Sequence, residues 1–166
     1  MFGEIVNRLA PQFHLDPRIV ACVILQESNG DPLANRFEQA LFDALSPLGR
    51  EKLSGWRPAA GEMPNLLTEK INRACSWGLM QVLGETARWL CRLNNPYLTC
   101  LIDPEVGIAA GCRVLEYYLR MQHGDINKAL AQYNSGNPKS QAGTNYARRI
   151  MTRFTNREYL KILNNA

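Results

Sequence analysis

The chain has 166 residues, 46% hydrophobic and 20% charged, enough to enclose a core of its own. No run reaches the roughly 18 consecutive apolar residues of a membrane span, and 5 Phe, 6 Tyr and 3 Trp exclude a disordered chain, a repeat tract or an acidic tail protein. The net charge of +4 is uneven: the first 70 residues carry 7 basic and 9 acidic groups, the remainder 12 and 6, a bias that suits nucleic acid, an anionic membrane or an acidic polymer, and equally a solvated helix face.

In chain order, Phe2, Ile5, Val6 and Leu9 recur at helical spacing until Pro11 closes the segment. Asp16-Pro17 is a cap followed by proline at the first helical position, and the apolar run Ile19–Leu25 follows. Asn29-Gly30 is a stop signal for that helix. Asn35 to Leu48 reads as an amphipathic helix with Phe37, Ala40, Leu41, Ala44 and Leu45 on one side. The Gly- and Pro-rich stretch 49–64 reads as a loop. Thr68, Ile71 and Ala74 suggest a short helical turn, and Thr86 to Leu93 a helix. Asp103-Pro104 repeats the cap-plus-proline device before a long helix ending near His123-Gly124. Asp125 caps a helix to about Tyr133, and helices over Tyr146–Phe154 and Arg157–Leu163 close the chain. No alternating strand pattern of any length appears, so the fold class is mainly α with little β. No repeat or linker splits the chain, which reads as one domain over residues 1–166.

The five cysteines contain no C-x-x-C, and His14 and His123 lie near none of them, so no metal site and no cofactor are expected. Buried, reduced cysteine is the reading that fits. Met1 to Leu15 carries Glu4, Arg8 and Pro11 and lacks a long apolar stretch, so no ordinary secretory signal is expected.

Glu27 ends a helix that is apolar on every side. Burial and the negative end of the helix dipole both disfavour its charged form, which raises its pKa. A carboxylic acid kept neutral is what a general acid needs. A carboxylate turned to solvent, or tied to backbone N–H groups, fits the same pattern.

Glu27-Ser28 is followed by Gly78-Leu79-Met80-Gln81, then by Ala131-Gln132-Tyr133-Asn134-Ser135-Gly136, then by Tyr146. These four motifs in this order resemble the soluble lytic transglycosylase (SLT) family, whose catalytic domain is related to goose-type lysozyme. The likeness spans roughly residues 14–155 and implies a lysozyme-like helical domain with a glycan-binding cleft. It implies cleavage of the β-1,4 bond between N-acetylmuramic acid and N-acetylglucosamine in peptidoglycan, with formation of a 1,6-anhydro end.

By that resemblance Glu27 is the catalytic acid and base, and peptidoglycan glycan strands are the partner. Ser28 would lie near the reacting sugar, or be bonded to its own helix. Gly78 allows a close backbone approach. Met80 would line the cleft floor, or be plain core. Gln81 can donate and accept, as sugar hydroxyl and acetamido groups require. The Tyr133 hydroxyl would reach Glu27 and position it, while Asn134 would bind substrate, cap its helix, or do both. Tyr146 matches the fourth motif and suits a core aromatic with a bonded hydroxyl. Trp77 either stacks on a sugar or fills the core.

Two departures from the family pattern stand out. The 49 residues between Ser28 and Gly78 are long for it, an insertion at about 35–70 that carries Glu38, Asp43, Glu51, Glu62 and Glu69. A second carboxylate from there would make the enzyme a hydrolysing muramidase. Asn137-Pro138 replaces the commoner Gly-Pro continuation. A third reading, a helical nucleic-acid-binding module using the basic half, gives the four motifs no role. With no signal seen, action on the wall from the periplasmic side implies delivery by a phage virion, a lysis system or a secretion apparatus.

Overall fold

The structure is a computed structural model and describes residues 2–45, 66–93, 95 and 97–164. Helix α1 (Phe2–Leu9) runs into a 3-10 turn over Ala10–Phe13 that accommodates Pro11. Helix α2 (Pro17–Glu27) is started by Asp16, whose side chain accepts from the Arg18 amide. Every residue from Ile19 to Leu25 is buried, so this helix is the axle of the core. It stops where expected: Ser28 caps it, and Asn29 and Gly30 take positive φ of 53° and 84°.

The next segment departs from the expected helix over Asn35–Leu48. Asn35–Phe37 is a strand, β1, and only Gln39–Ala44 is helical, as α3. Strand β1 pairs antiparallel with β2 (Cys75–Trp77), which pairs with β3 (Val82–Leu83). The sheet and the Glu38 amide, which donates to the Ala74 carbonyl at 2.8 Å, take the backbone groups a longer helix would have used. The end of that expected helix, at 46–48, and the expected loop 49–64 lie outside the described residues.

Helix α4 covers Leu66–Arg73, longer than the single turn expected, and α5 covers Gly84–Trp89, shorter than expected at its C-terminal end. A 3-10 turn over Leu98–Ile102 leads to α6 (Pro104–Met121), whose Asp103 cap accepts from the Glu105 and Val106 amides. Helix α7 (Ile126–Ser135) ends on Gly136 in the left-handed region. Helix α8 (Gln141–Thr155) begins earlier than expected because Ser140 caps it through the Gly143 amide. Helix α9 covers Leu160–Leu163 and packs against α1 and α2. The five cysteines are free thiols. Burial pushes Cys112 up to about 12, so it behaves as a small apolar side chain. No helix among the described residues is long and apolar enough to cross a membrane.

A buried ion cluster fastens the sheet side of the molecule. Glu69 on α4 accepts from Arg73 at 2.8 Å and from both Nε and Nη2 of Arg88 on α5, at 2.8 and 2.9 Å. Arg88 also donates to the carbonyls of Leu93 and Asn95. Glu69 and Arg73 are fully enclosed and Arg88 nearly so. Two guanidiniums taken out of water need this carboxylate between them. Glu69→Ala is therefore expected to cost about 3–5 kcal/mol, read as a lower urea midpoint at unchanged slope.

Candidate functional site

A cavity of about 510 Å³ opens where α2, the sheet, α5, α6 and α7 converge. Glu27 enters it from the end of α2, and Arg36, Glu38, Ala40 and Leu41 from β1 and α3. Ser76, Gln81, Val82 and Leu83 come from the sheet region, and Thr86, Val114 and Tyr118 from α5 and α6. The wall is completed by Gln132 through Gly136 at the end of α7.

Glu27 Oε1 accepts a 2.6 Å hydrogen bond from the hydroxyl of Tyr146, a buried residue of α8. Burial is the largest influence on the carboxyl and raises its pKa above the ordinary glutamate value. The Tyr146 hydroxyl, and the charges of Arg36 and Arg149, pull the other way with less effect. The fold thus places an acid that resists ionising against a hydroxyl that fixes its direction.

The tyrosine in contact with Glu27 differs from the one expected. The Tyr133 hydroxyl donates to the Met80 carbonyl at 2.7 Å, so Tyr133 holds the turn over residues 78–81. The reason is the approach of the two helices. Helix α8 packs along α2 and delivers Tyr146 to its C-terminus, while α7 lies beside α6 and reaches the turn.

That turn depends on two close approaches. Gly78 has φ of +68°, and a Cβ there would stand 2.3 Å from the Leu101 carbonyl oxygen. A Cβ on Gly111 of α6 would stand 2.4 Å from the Met80 sulfur. Met80 is fully buried in that notch, so its side chain is core and does not line the cavity. Ser28 is likewise behind the cavity. Its hydroxyl lies 3.2 Å from the Ile24 carbonyl and 2.9 Å from the Leu79 carbonyl, and accepts from the Gly30 amide. It joins the end of α2 to the 78–81 turn. Trp77 donates its indole N–H to the Asn72 carbonyl and packs against the core.

Glu27, Gln81, Tyr133 and Asn134 therefore share the cavity, and Ser28, Met80 and Tyr146 support it from behind. Gln81, at φ of 46°, spends its Nε2 on the carbonyls of Ala34 and Gly78, so its remaining polar group is an acceptor, Oε1. Asn134 is exposed at the cavity wall. Sequence reasoning missed Arg36, Thr86, Val114, Tyr118 and Gln132. One spacing held a signal: Val114 and Tyr118 are i, i+4 on one helix face.

Of the acidic residues in the expected insertion, Glu38 lies at the cavity, ion-paired to Arg36 at 2.6 Å. Asp43 is bonded to Gln39 outside it, Glu69 is locked in the buried cluster, and Glu51 and Glu62 lie outside the described residues.

A protein-family model described as "Transglycosylase SLT domain" matches residues 4–154. No solved structure matches the chain.

Two variants probe this geometry. The Tyr146 hydroxyl favours the ionised form of Glu27, so Tyr146→Phe removes a stabiliser of the carboxylate and raises the pKa further. The ¹³C carboxyl signal of Glu27 is expected to titrate at higher pH in the variant than in the wild type. Ser28→Ala removes a tie between two backbone segments and is expected to cost about 1 kcal/mol in urea unfolding while leaving that titration in place.

Proposed function

The chain belongs to the transglycosylase SLT domain family, a peptidoglycan lytic transglycosylase, and from that membership we propose that Glu27 is its single acid and base and that its product ends in 1,6-anhydro-N-acetylmuramic acid. The observation that carries this reading is the half-buried carboxyl of Glu27 at the cavity, pinned through Oε1 by Tyr146.

With Oε1 occupied as acceptor, the carboxyl proton sits on Oε2. Glu27 gives that proton to the glycosidic oxygen as the bond to C1 of the muramic sugar breaks. The sugar's own acetamido oxygen stabilises the positive charge at C1. Glu27, now ionised, takes the proton of the C6 hydroxyl, whose oxygen bonds to C1. The proton is returned, no water enters, and no second carboxylate is required, unlike the usual paired arrangement of glycosidases. The Oε1 of Gln81 and the amide of Asn134 offer an acceptor and a mixed donor–acceptor for the acetamido and hydroxyl groups of the strand. Tyr146 is a positioning residue, since it touches Glu27 and not the cavity.

Glu38 favours a second reading, in which it activates a water and the product is a reducing end. Its ion pair with Arg36 supports the first reading, because that carboxylate is already engaged by a guanidinium.

Mass spectrometry of digested peptidoglycan tests both. Wild type is expected to leave anhydro ends, and Glu27→Gln to lose at least about 10³-fold in rate. Glu38→Gln is expected to leave the product unchanged. Reducing ends that disappear in Glu38→Gln would establish hydrolysis in place of transglycosylation.

A further inference from the structure

Three aromatic rings continue the cavity across the surface of α5 and α6. Tyr118 lines the cavity, one turn after Val114 on α6. Its ring lies 5.5 Å from that of Tyr117 at 60°, and Tyr117 lies 5.8 Å from Trp89 at 84°. Trp89 is on α5, three residues after the cavity residue Thr86. Tyr118 packs against the hydrophobic core, whereas Tyr117 and Trp89 do not. Trp89 is 42% exposed. The core therefore does not account for two of the rings, and a large ring kept in water invites a ligand surface.

We propose that Trp89, Tyr117 and Tyr118 form a stacking platform for a sugar of the glycan strand outside the 510 Å³ cavity, a distal subsite of the same cleft. The proposal rests on the glycan-cleaving reading of the site. The chemistry is that of a pyranose ring, whose axial C–H bonds make an apolar face while its hydroxyls lie at the rim. An aromatic face takes that apolar surface out of water and leaves the hydroxyls hydrated. Edge-to-face contact holds the rings in place without covering all their faces. Continuity identifies the occupant: a strand leaving the cavity past Tyr118 meets Tyr117 and then Trp89. The platform itself carries no charged side chain.

The test separates strand length from chemistry. Wild type, Trp89→Ala, Tyr117→Ala and Trp89→Phe are compared on uncrosslinked long glycan strands and on a tetrasaccharide cut from them. Each alanine variant is expected to raise KM about tenfold on long strands with kcat held, and to leave the tetrasaccharide unaffected. Trp89→Phe, which keeps the packing and an aromatic face, is expected to stay near wild type. A binding arm uses Glu27→Gln with the same long strands: tryptophan emission is expected to shift to the blue, and the shift to vanish when Trp89→Phe is added. An unchanged ratio of long to short substrate in the alanine variants, or no shift in the binding arm, would overturn the platform. So would self-association of the wild type that Trp89→Ala abolishes without altering strand binding, which would make the rings a contact between copies. Failure of the catalytic reading shows elsewhere, as retained cleavage by Glu27→Gln, while the binding arm still reports on the platform.

Discussion

A carboxyl group held at the end of a buried helix is the constraint around which the rest of this structure is arranged. Helix α2 buries every residue from Ile19 to Leu25 and presents a carboxyl at its last position, Glu27. Burial favours the neutral acid, and Tyr146 supplies a single donor that sets the orientation without supplying a full charge. A lysine or arginine at position 146 would hold the carboxyl equally well but would drive it to ionise. A phenol fixes geometry and leaves the acid poised, as the proposed role of first giving a proton and then taking one back requires.

Around this pair, the polar groups of the sequence motifs mostly serve backbone. Ser28 joins α2 to Leu79, Tyr133 seizes the Met80 carbonyl, and Gln81 braces Ala34 and Gly78. These bonds converge on a four-residue turn whose path is allowed by Gly78 against Leu101 and by Gly111 against Met80. The cleft wall is therefore a tightly braced loop of main chain. Its stiffness comes from side chains that a reader of motifs would assign to substrate. The Glu69–Arg73–Arg88 cluster does the same service beside the sheet, tying α4 to α5 and to the segment at Leu93 and Asn95.

Much of the helical layout was legible because its signals are local. Asp16-Pro17, Asp103-Pro104 and Asp125 cap helices that the structure shows. Asn29-Gly30 stops α2. The strand Asn35–Phe37 was not legible, because it is three exposed residues long and owes its conformation to partners 38 or more positions away. Alternation cannot be read in three residues, and the helical periodicity of the apolar residues that follow it masked the strand. Ser140 was overlooked as a cap for a different reason: the first apolar positions of α8 come only after a polar turn, Gln141 to Asn145.

Local pattern was enough to place Glu27 at the end of a buried helix, to make the chain mainly α and to order the four motifs of the family resemblance, since composition, caps and spacing are properties of neighbouring residues. Tertiary structure decided which tyrosine meets Glu27, that Ser28 and Met80 stand behind the cavity, and that Arg36, Glu38 and Tyr118 stand at it. A hydroxyl at the tip of a side chain goes where its helix is packed. The packing of α8 on α2, and of α7 on α6, is settled by the summed burial of many apolar side chains distant in the chain, which no local pattern encodes.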